Sequence, residues 1–205
     1  MDTEKKILYA ASEEFAKNGY YGTTIRKICK RAKVNVAAVN YHFDSKESLY
    51  RKVFSFLFEE TEVDKLLLPL QTHSDEEAKS ALKNWIKGFL GVLVNPDKLN
   101  EFKFKIMFRE MLDPTDIFQQ IFMEFIKPRI SVVENYLRKK LPPGTPYEEI
   151  CIYQFSITAQ CLFYFNNRIT VSYLSEDKSF PRNSVEKIAD FITESIWFNL
   201  EKYRK

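Results

Sequence analysis

Three neighbouring hydrogen-bonding side chains, Asn40, Tyr41 and His42, come near the end of the short stretch VNVAAVNYHF, residues 34–43. An Asn amide can bond two atoms of an adenine edge, and hydroxyl or imidazole groups can reach phosphates. Small and apolar residues come first in the stretch, and they would let a helix backbone approach the floor of a groove. This order of residues favours contact with the DNA major groove.

Two short predicted helices position these residues. TTIRKICKRAK begins at a cap, Thr23 or Thr24, and a break at residues 33–35 separates it from the second helix, which is helix-turn-helix spacing. The residues expected to lock the two helices together are Ile25, Ile28, Ala32, Val34, Val39 and Phe43. Those left facing outward are Val36, Ala37, Ala38, Asn40, Tyr41 and His42. Lys46 follows at the start of the next helix, which we expect to be capped by Asp44 with Glu47; charge and free N–H groups there can bind a phosphate.

Positive charge is concentrated around this segment. Residues 17–52 hold nine basic and two acidic residues, whereas residues 62–205 hold twenty of each and the whole chain carries +3. A local excess of this kind favours a polyanionic partner. A plain helical hairpin with a solvated polar face remains the alternative, because short helix pairs are common.

The stretch TTIRKICKRAKVNVAAVNYHFDSKESLYRKV resembles the TetR/AcrR family of bacterial transcriptional regulators, and the similarity extends over about residues 5–58. The matching residues are Thr23, Thr24, Ile25, Arg26, Ala32, Val34, Tyr41, His42, Phe43, Ser45, Lys46 and Glu47. The resemblance implies base contacts by Asn35, Val36, Ala37, Ala38 and Asn40, and phosphate contacts by Thr24, Tyr41, His42 and Lys46. Two positions depart from the family: Lys33 replaces the usual turn Gly, and Asn40 stands where many members have Tyr.

The rest of the chain predicts an all-α protein of about nine helices, since Gly is scarce and the apolar residues repeat at helical spacing. We expect a helix-turn-helix DNA-binding domain at 1–61 and a larger helical domain at 62–205. One long helix is expected after Asp113, kinked or split at Pro128, and another from Thr145 to about residue 174. REMLDPT at 109–115 and AQCLFYF at 159–165 resemble the CecR-like subgroup of C-terminal domains, which implies ligand binding and dimerisation.

Aromatic and apolar residues of this second domain are candidates for an effector pocket. The predicted lining is Phe104, Met107, Phe108, Met111, Phe122, Phe155, Phe163 and Tyr164, with Arg109, Gln160 and Asn167 as polar groups. The effector is expected to be small and apolar or aromatic. Each Phe or Met could instead be ordinary core, and Arg109 could pair with Glu110 or Asp113.

A homodimer through residues 146–203 is expected from apolar residues at helical spacing on the last long helices. The stripe consists of Ile150, Phe155, Ile188, Ile192, Ile196 and Trp197. Together with the reading helix, this predicts a ligand-responsive regulator, a repressor, that binds a palindromic double-stranded DNA operator as a dimer.

Other classes of function find less support in the sequence. Cys29, Cys151 and Cys161 match no metal spacing and are expected to be free thiols in a reducing cytoplasm; no cofactor, metal or membrane segment is expected. An enzyme using Cys151 or Cys161 would need a nearby His, and the two His residues lie in other regions. A helical adaptor that binds only protein is the third alternative.

Overall fold

The computed structural model describes residues 2–59, 62–72, 74 and 76–202. These ranges contain helices and their connections. The α-helices are α1 Thr3–Gly22, α2 Ile25–Ala32, α3 Val36–Phe43, α4 Lys46–Phe58, α5 Glu62–Thr72, α6 Ala78–Val94, α7 Lys98–Leu112, α8 Phe118–Ile121, α9 Lys127–Lys140, α10 Tyr147–Asn166, α11 Arg168–Leu174 and α12 Val185–Lys202. A π-helical turn, Phe122–Ile126, follows α8, and a 3-10 turn, Arg182–Ser184, precedes α12. The predicted all-α class is confirmed.

The chain forms two compact units. Unit 1 comprises Met1–Thr61 and Asp97–Lys127, and unit 2 comprises Glu62–Pro96 and Pro128–Lys205. The break after residue 61 coincides with the predicted domain boundary, but residues 97–127 pack with the first unit. The division of function between 1–61 and 62–205 stays a prediction. One of the two His residues, His73, and residue 203 at the end of the predicted dimer segment lie outside the described residues.

Unit 1 is organised around α1, which packs against α2, α4 and α7. Apolar side chains from all of these helices are removed from solvent, and this burial is the main stabilising contribution to the unit. The most deeply buried are Ile7, Ala11, Phe15, Ile28, Leu49, Tyr50, Val53, Phe54 and Ile106.

Unit 2 is organised around α6, which packs against α5, α10 and α12. Its core includes Leu82, Ile86, Leu90, Tyr136, Leu137, Ile157, Cys161 and Ala189. Gly88 allows α5 to approach closely, because a Cβ at this position would collide with the Leu66 side chain. No helix within the described ranges has the length and apolar content needed to cross a bilayer.

The expected number of about nine helices is slightly low, and the reasons are local. The predicted helix from Thr145 is interrupted at Asn167, which divides it into α10 and α11. Pro128 carries no N–H, and the helical register changes in the π-helical turn just before it. The sequence analysis missed α5, which contains Pro69.

Candidate nucleic-acid interface

The two threonines before α2 have different roles. Thr24 is the cap, and its Oγ1 accepts a hydrogen bond from the Lys27 backbone N–H at 3.3 Å. Thr23 is buried, and its hydroxyl lies 2.8 Å from the Gly19 carbonyl and 3.1 Å from the Glu14 carbonyl, both of which can accept from it. Thr23 therefore ties the start of α2 to α1, while Thr24 stays exposed.

The turn between α2 and α3 depends on an unusual residue. Lys33 adopts the left-handed conformation, with φ 56° and ψ 45°, and its N–H bonds to the Cys29 carbonyl. This conformation costs a non-glycine residue roughly 1–2 kcal/mol. Lys33, which replaces the usual turn Gly, therefore occupies a strained position, and its side chain is exposed.

The inner and outer faces of α3 separate as the sequence predicts. Val39 and Phe43 are buried with Ile28 of α2, while Ile25, Ala32 and Val34 are half-buried. Tyr41 is 85% exposed, and Ala38 is the one half-buried member of the otherwise exposed outward set Val36, Ala37, Ala38, Asn40, Tyr41 and His42. Two buried anchors thus hold a helix of eight residues with one face open.

Asn35 is the N-cap of α3. Its Oδ1 accepts a hydrogen bond from the Ala38 N–H at 2.8 Å. The amide oxygen is therefore engaged locally, and the amide NH2 group is the part of Asn35 that remains to contact a base.

The start of α4 differs from the sequence prediction. Ser45 is the N-cap, accepting from the Ser48 N–H at 3.0 Å, whereas Asp44 closes α3 at a positive φ of 51°. Lys46 is half-buried, with its ammonium 4.4 Å from the centre of the Tyr20 ring, and burial lowers the pKa of Lys46. A phosphate contact by Lys46 would thus be made from a side chain already held at the surface of α1.

Some of the predicted positive charge is neutralised within unit 1. Arg31 forms ion pairs with Glu13 and Glu14, both at 2.6 Å, and Arg51 pairs with Glu124. The exposed cations near α2 and α3 include Arg26, Lys27, Lys30 and Lys33. A cleft of about 530 Å³ between α1 and α2 is lined by Glu14, Lys17, Asn18, Lys27, Lys30 and Arg31. The charge count in the sequence signalled these cations, but it could not separate the paired from the open ones.

The predicted effector residues are divided between the units. Those in unit 1 are Phe104, Met107, Phe108, Arg109, Met111 and Phe122, and those in unit 2 are Phe155, Gln160, Phe163, Tyr164 and Asn167. Phe104 and Met107 are buried, Phe108, Phe122 and Tyr164 are half-buried, and Met111 is exposed. The pocket stays a prediction.

Polar members of that set are engaged locally. Arg109 is exposed and donates to the Lys17 carbonyl at 2.9 Å, which differs from the expected pairing with Glu110 or Asp113. The amide nitrogens of Gln160 and Asn167 donate to the Ser156 and Phe163 carbonyls of α10. Because α10 ends before Asn167, these two residues do not share an uninterrupted helix face.

Buried charged residues were missed by the sequence analysis. Glu110 and Lys103 are nearly inaccessible on α7, and the Lys103 ammonium lies 5.2 Å from the centre of the Phe58 ring. Both residues lie at helical spacing from the buried Ile106 and Met107, which was the available signal, but their charge favoured an exposed position.

The predicted dimer stripe requires a correction. Ile150, Ile188, Ile192, Ile196 and Trp197 are buried in unit 2, so they form its core. Phe155 alone of the stripe is exposed. The large aliphatic and Phe side chains that are exposed on α10 and α12 are instead Ile152, Phe155, Phe163, Phe191 and Phe198.

Two family models match the chain. The model described as bacterial regulatory proteins, tetR family, matches residues 7–53. The model described as the HTH-type transcriptional dual regulator CecR, C-terminal domain, matches residues 78–202, which is more than half of the chain.

Curated relatives show the same two parts. CecR of Shigella flexneri is 31% identical over 137 residues, covering 61% of this chain and 58% of that protein. IcaR of Staphylococcus epidermidis, a negative transcriptional regulator of the biofilm operon icaADBC, is 43% identical over 47 residues, covering 23% of this chain and 25% of IcaR. The probable transcriptional regulator YttP of Bacillus subtilis is 37% identical over 59 residues, covering 29% of this chain and 28% of YttP. The chain thus spans less than two thirds of the length of each of these relatives.

Solved structures share the fold. AibR in complex with isovaleryl coenzyme A and operator DNA has a TM-score of 0.69 at 18% identity, covering 95% of this chain and 97% of AibR. FadR of Bacillus subtilis with stearoyl-CoA has 0.67 at 16% identity, covering 94% and 96%. A Clostridium perfringens putative fatty acid metabolism regulator has 0.66 at 26% identity, covering 93% and 96%.

The helix-turn-helix formed by α2 and α3 lies within the residues that the tetR family model matches. The chain belongs to the TetR family of bacterial transcriptional regulators and carries a C-terminal domain of the CecR type.

Proposed function

We propose that two copies of this chain form a ligand-responsive repressor, in which each α3 docks in the major groove of one half of a palindromic operator. The observation that carries the proposal is the two-sided α3, anchored by Val39 and Phe43 while Asn40, Tyr41 and His42 face outward. The neighbouring α2 and its turn carry exposed cations, which supply attraction to phosphates.

Each outward residue has a chemically distinct role in this proposal. Asn40 pairs with a base edge, and the Asn35 NH2 group donates to another. The aliphatic residues Val36, Ala37 and Ala38 pack against base edges such as thymine methyl groups. The predicted phosphate contacts are made by Thr24, Tyr41, His42 and Lys46.

Dimerisation is assigned to two exposed stripes, which we call the α10–α12 face. It consists of Ile152, Phe155 and Phe163 on α10 and Phe191 and Phe198 on α12. Residues 152, 155 and 163 fall on one side of α10, and 191 and 198 on one side of α12, by helical spacing. Exposed apolar residues at this density favour association with another protein surface, and a second copy provides the same stripes.

The effector is proposed to be apolar or aromatic, with acyl-CoA compounds as the first probes, because AibR and FadR have this fold and were solved with such ligands. An effector can act only by favouring one spacing of the two α3 helices over another. The proposed lever is α4, since it begins beside α3 at Lys46 and its Phe54 and Phe58 pack on Phe125.

A thiol enzyme is disfavoured as an alternative. Cys161 is completely buried, and burial raises the pKa of its thiol to about 12. A thiolate is therefore scarce at neutral pH. His42 lies on α3 of unit 1, whereas Cys151 and Cys161 lie on α10 of unit 2.

Selection of bound DNA from a random library tests the proposed function. The expected result is a palindrome whose half-sites are about one helical turn, 10–10.5 base pairs, or a multiple of it apart, bound with strong salt dependence. Acyl-CoA compounds of increasing chain length are then titrated against the selected site. Failure to enrich any sequence, or binding that does not weaken with salt, would contradict the proposal.

A further inference from the structure

Two consecutive residues of α7, Arg109 and Glu110, bond to two different helices of the reading head, which we define as α1–α4. Glu110 contacts α4 through Tyr50, and Arg109 contacts α1 through Lys17. All of these residues belong to unit 1.

The Glu110 carboxylate is buried, and both of its oxygens accept hydrogen bonds. Glu110 is 2% exposed and accepts from the Tyr50 hydroxyl at 2.5 Å, and from the Thr115 N–H and hydroxyl at 2.9 and 3.0 Å. Removing a donor from a buried charge leaves a costly unsatisfied group. Tyr50 is also 2% exposed, and its burial and its bond to Glu110 raise the pKa of its hydroxyl.

The position of Tyr50 affects both α1 and α4. Its ring centre lies 4.6 Å from that of Phe15 on α1 and 5.2 Å from that of Phe54 on α4. A bond that fixes the hydroxyl at the far end of this ring therefore limits how α4 can shift against α1.

The Arg109 contact closes the end of regular helix in α1. Gly19 has φ 69°, so the backbone leaves helical geometry there, and Arg109 Nη2 donates to the nearby Lys17 carbonyl at 2.9 Å. A cation that bonds a carbonyl at a helix C-terminus is favoured by hydrogen bonding and by the helix dipole.

We propose that Arg109 and Glu110 are positioning residues for DNA binding: together they fix α1 and α4, and thereby aim α3. This inference rests on the proposed function of the reading head.

The first test compares Tyr50→Phe with Tyr136→Phe in the full chain. Tyr136 is an equally buried tyrosine of unit 2 whose hydroxyl donates to the Ala78 carbonyl at 2.8 Å, so it controls for loss of a buried hydroxyl bond. We expect Tyr50→Phe to bind the library-selected DNA at least about tenfold more weakly and with a smaller slope against log salt, because a misaligned head makes fewer phosphate contacts. Tyr136→Phe should lower the thermal midpoint comparably and keep its DNA affinity within about threefold.

The second variant avoids the core. Arg109→Met keeps an apolar stem and removes the bond to Lys17. Its control is Arg138→Met, at an exposed arginine of α9. The positioning role is supported if Arg109→Met lowers the DNA affinity and the slope of log affinity against log salt while Arg138→Met leaves both unchanged.

Provided that the wild-type chain binds DNA, two results would overturn the positioning role. One is an equal loss of DNA affinity in each variant and its control, and the other is no loss of DNA affinity in either pair. If the wild-type chain itself selects no DNA, the proposed function is overturned instead.

Discussion

The outward face of α3 and the α10–α12 face are both open to solvent, but their chemistry differs. On α3 the exposed residues are small or form hydrogen bonds, and Asn40, Tyr41 and His42 lie in its C-terminal half. On α10 and α12 they are large and apolar, with Phe155 63% and Phe191 72% exposed. A wet, charged DNA surface suits the first face, and an apolar protein surface suits the second.

The two units also treat charge differently. Both units carry surface ion pairs, such as Arg51 with Glu124 in unit 1 and Lys83 with Asp190 in unit 2. Unit 1 also buries a carboxylate, Glu110, which is held by hydrogen bonds. Buried charged groups demand a fixed geometry, and surface pairs tolerate movement. If Glu110 positions the reading head as proposed, the placement of α3 depends on this buried carboxylate as well as on its own few buried residues.

The largest expected effect is on association. Phe155→Glu or Phe191→Glu places a carboxylate in an apolar contact in each copy, and the dimer dissociation constant should rise by about 100-fold or more. Sedimentation across a concentration series measures this. Leu68→Glu, an exposed apolar position on α5, is the control; equal loss of dimer in all three variants would contradict a specific α10–α12 face.

A second expected effect separates base contact from general binding. Asn40→Ala should cost roughly 1–3 kcal/mol for the selected site and relax the preference at one base position. Binding competition with substituted sites measures this change. Asn84→Ala, an exposed asparagine of α6, should leave specificity unchanged. If Asn40→Ala keeps the wild-type sequence preference, Asn40 does not contact a base and the outward face of α3 does not read DNA through it.

Lys46→Ala is expected to weaken binding to all DNA sequences alike and to reduce the salt slope by about one unit. Lys46→Met distinguishes lost charge from lost packing on Tyr20, because it retains the apolar stem over the ring. Both variants should show the same slope. If both Lys46 variants keep the wild-type salt dependence of DNA binding, Lys46 does not contact a phosphate.

Lys33→Gly should raise the free energy of unfolding by about 0.5–1 kcal/mol, since the relief of a left-handed residue exceeds the entropy cost of glycine. Urea unfolding measures this gain. Lys30→Gly, in the last turn of α2, should instead lower stability by up to about 1 kcal/mol. A destabilised Lys33→Gly variant would show that the side chain, rather than the turn, governs this position.

The smallest expected effect concerns acid. Ion pairs with Lys87 and Lys83 lower the pKa of Glu186 to about 2, below an ordinary value of about 4.3. A carboxylate whose pKa is lowered by folding stabilises the folded protein at pH values above its ordinary pKa. This stabilisation is lost as the pH falls toward 2. The gap in thermal midpoint between wild type and Glu186→Gln should therefore narrow on acidification from about pH 4.3, and it should shrink in high salt.

Glu194→Gln, which removes the single ion pair to Lys79, is the matched control for this experiment. A gap between wild type and Glu186→Gln that is constant from neutral to acid pH would contradict the role given to Glu186.

Local patterns predicted unit 1 better than unit 2. The cap at Thr24, the break before α3 and the inner pair Val39 and Phe43 depend on neighbouring residues, so periodicity and capping rules located them. The prediction of Asp44 rather than Ser45 as the cap of α4 was wrong because both residue types cap well. The dimer stripe was wrong because periodicity identifies an apolar face without saying whether the same chain covers it.

The sequence by itself determined the helical class, the family and the two faces of α3, because short-range spacing fixes which side chains share a helix face. Only the tertiary structure decided that residues 97–127 pack with the reading head, that Glu110 is bonded to Tyr50 sixty residues away, and that Ile192 is core while Phe191 is exposed. These outcomes depend on which distant helix covers each face, and that is set by packing of the whole unit rather than by any local pattern.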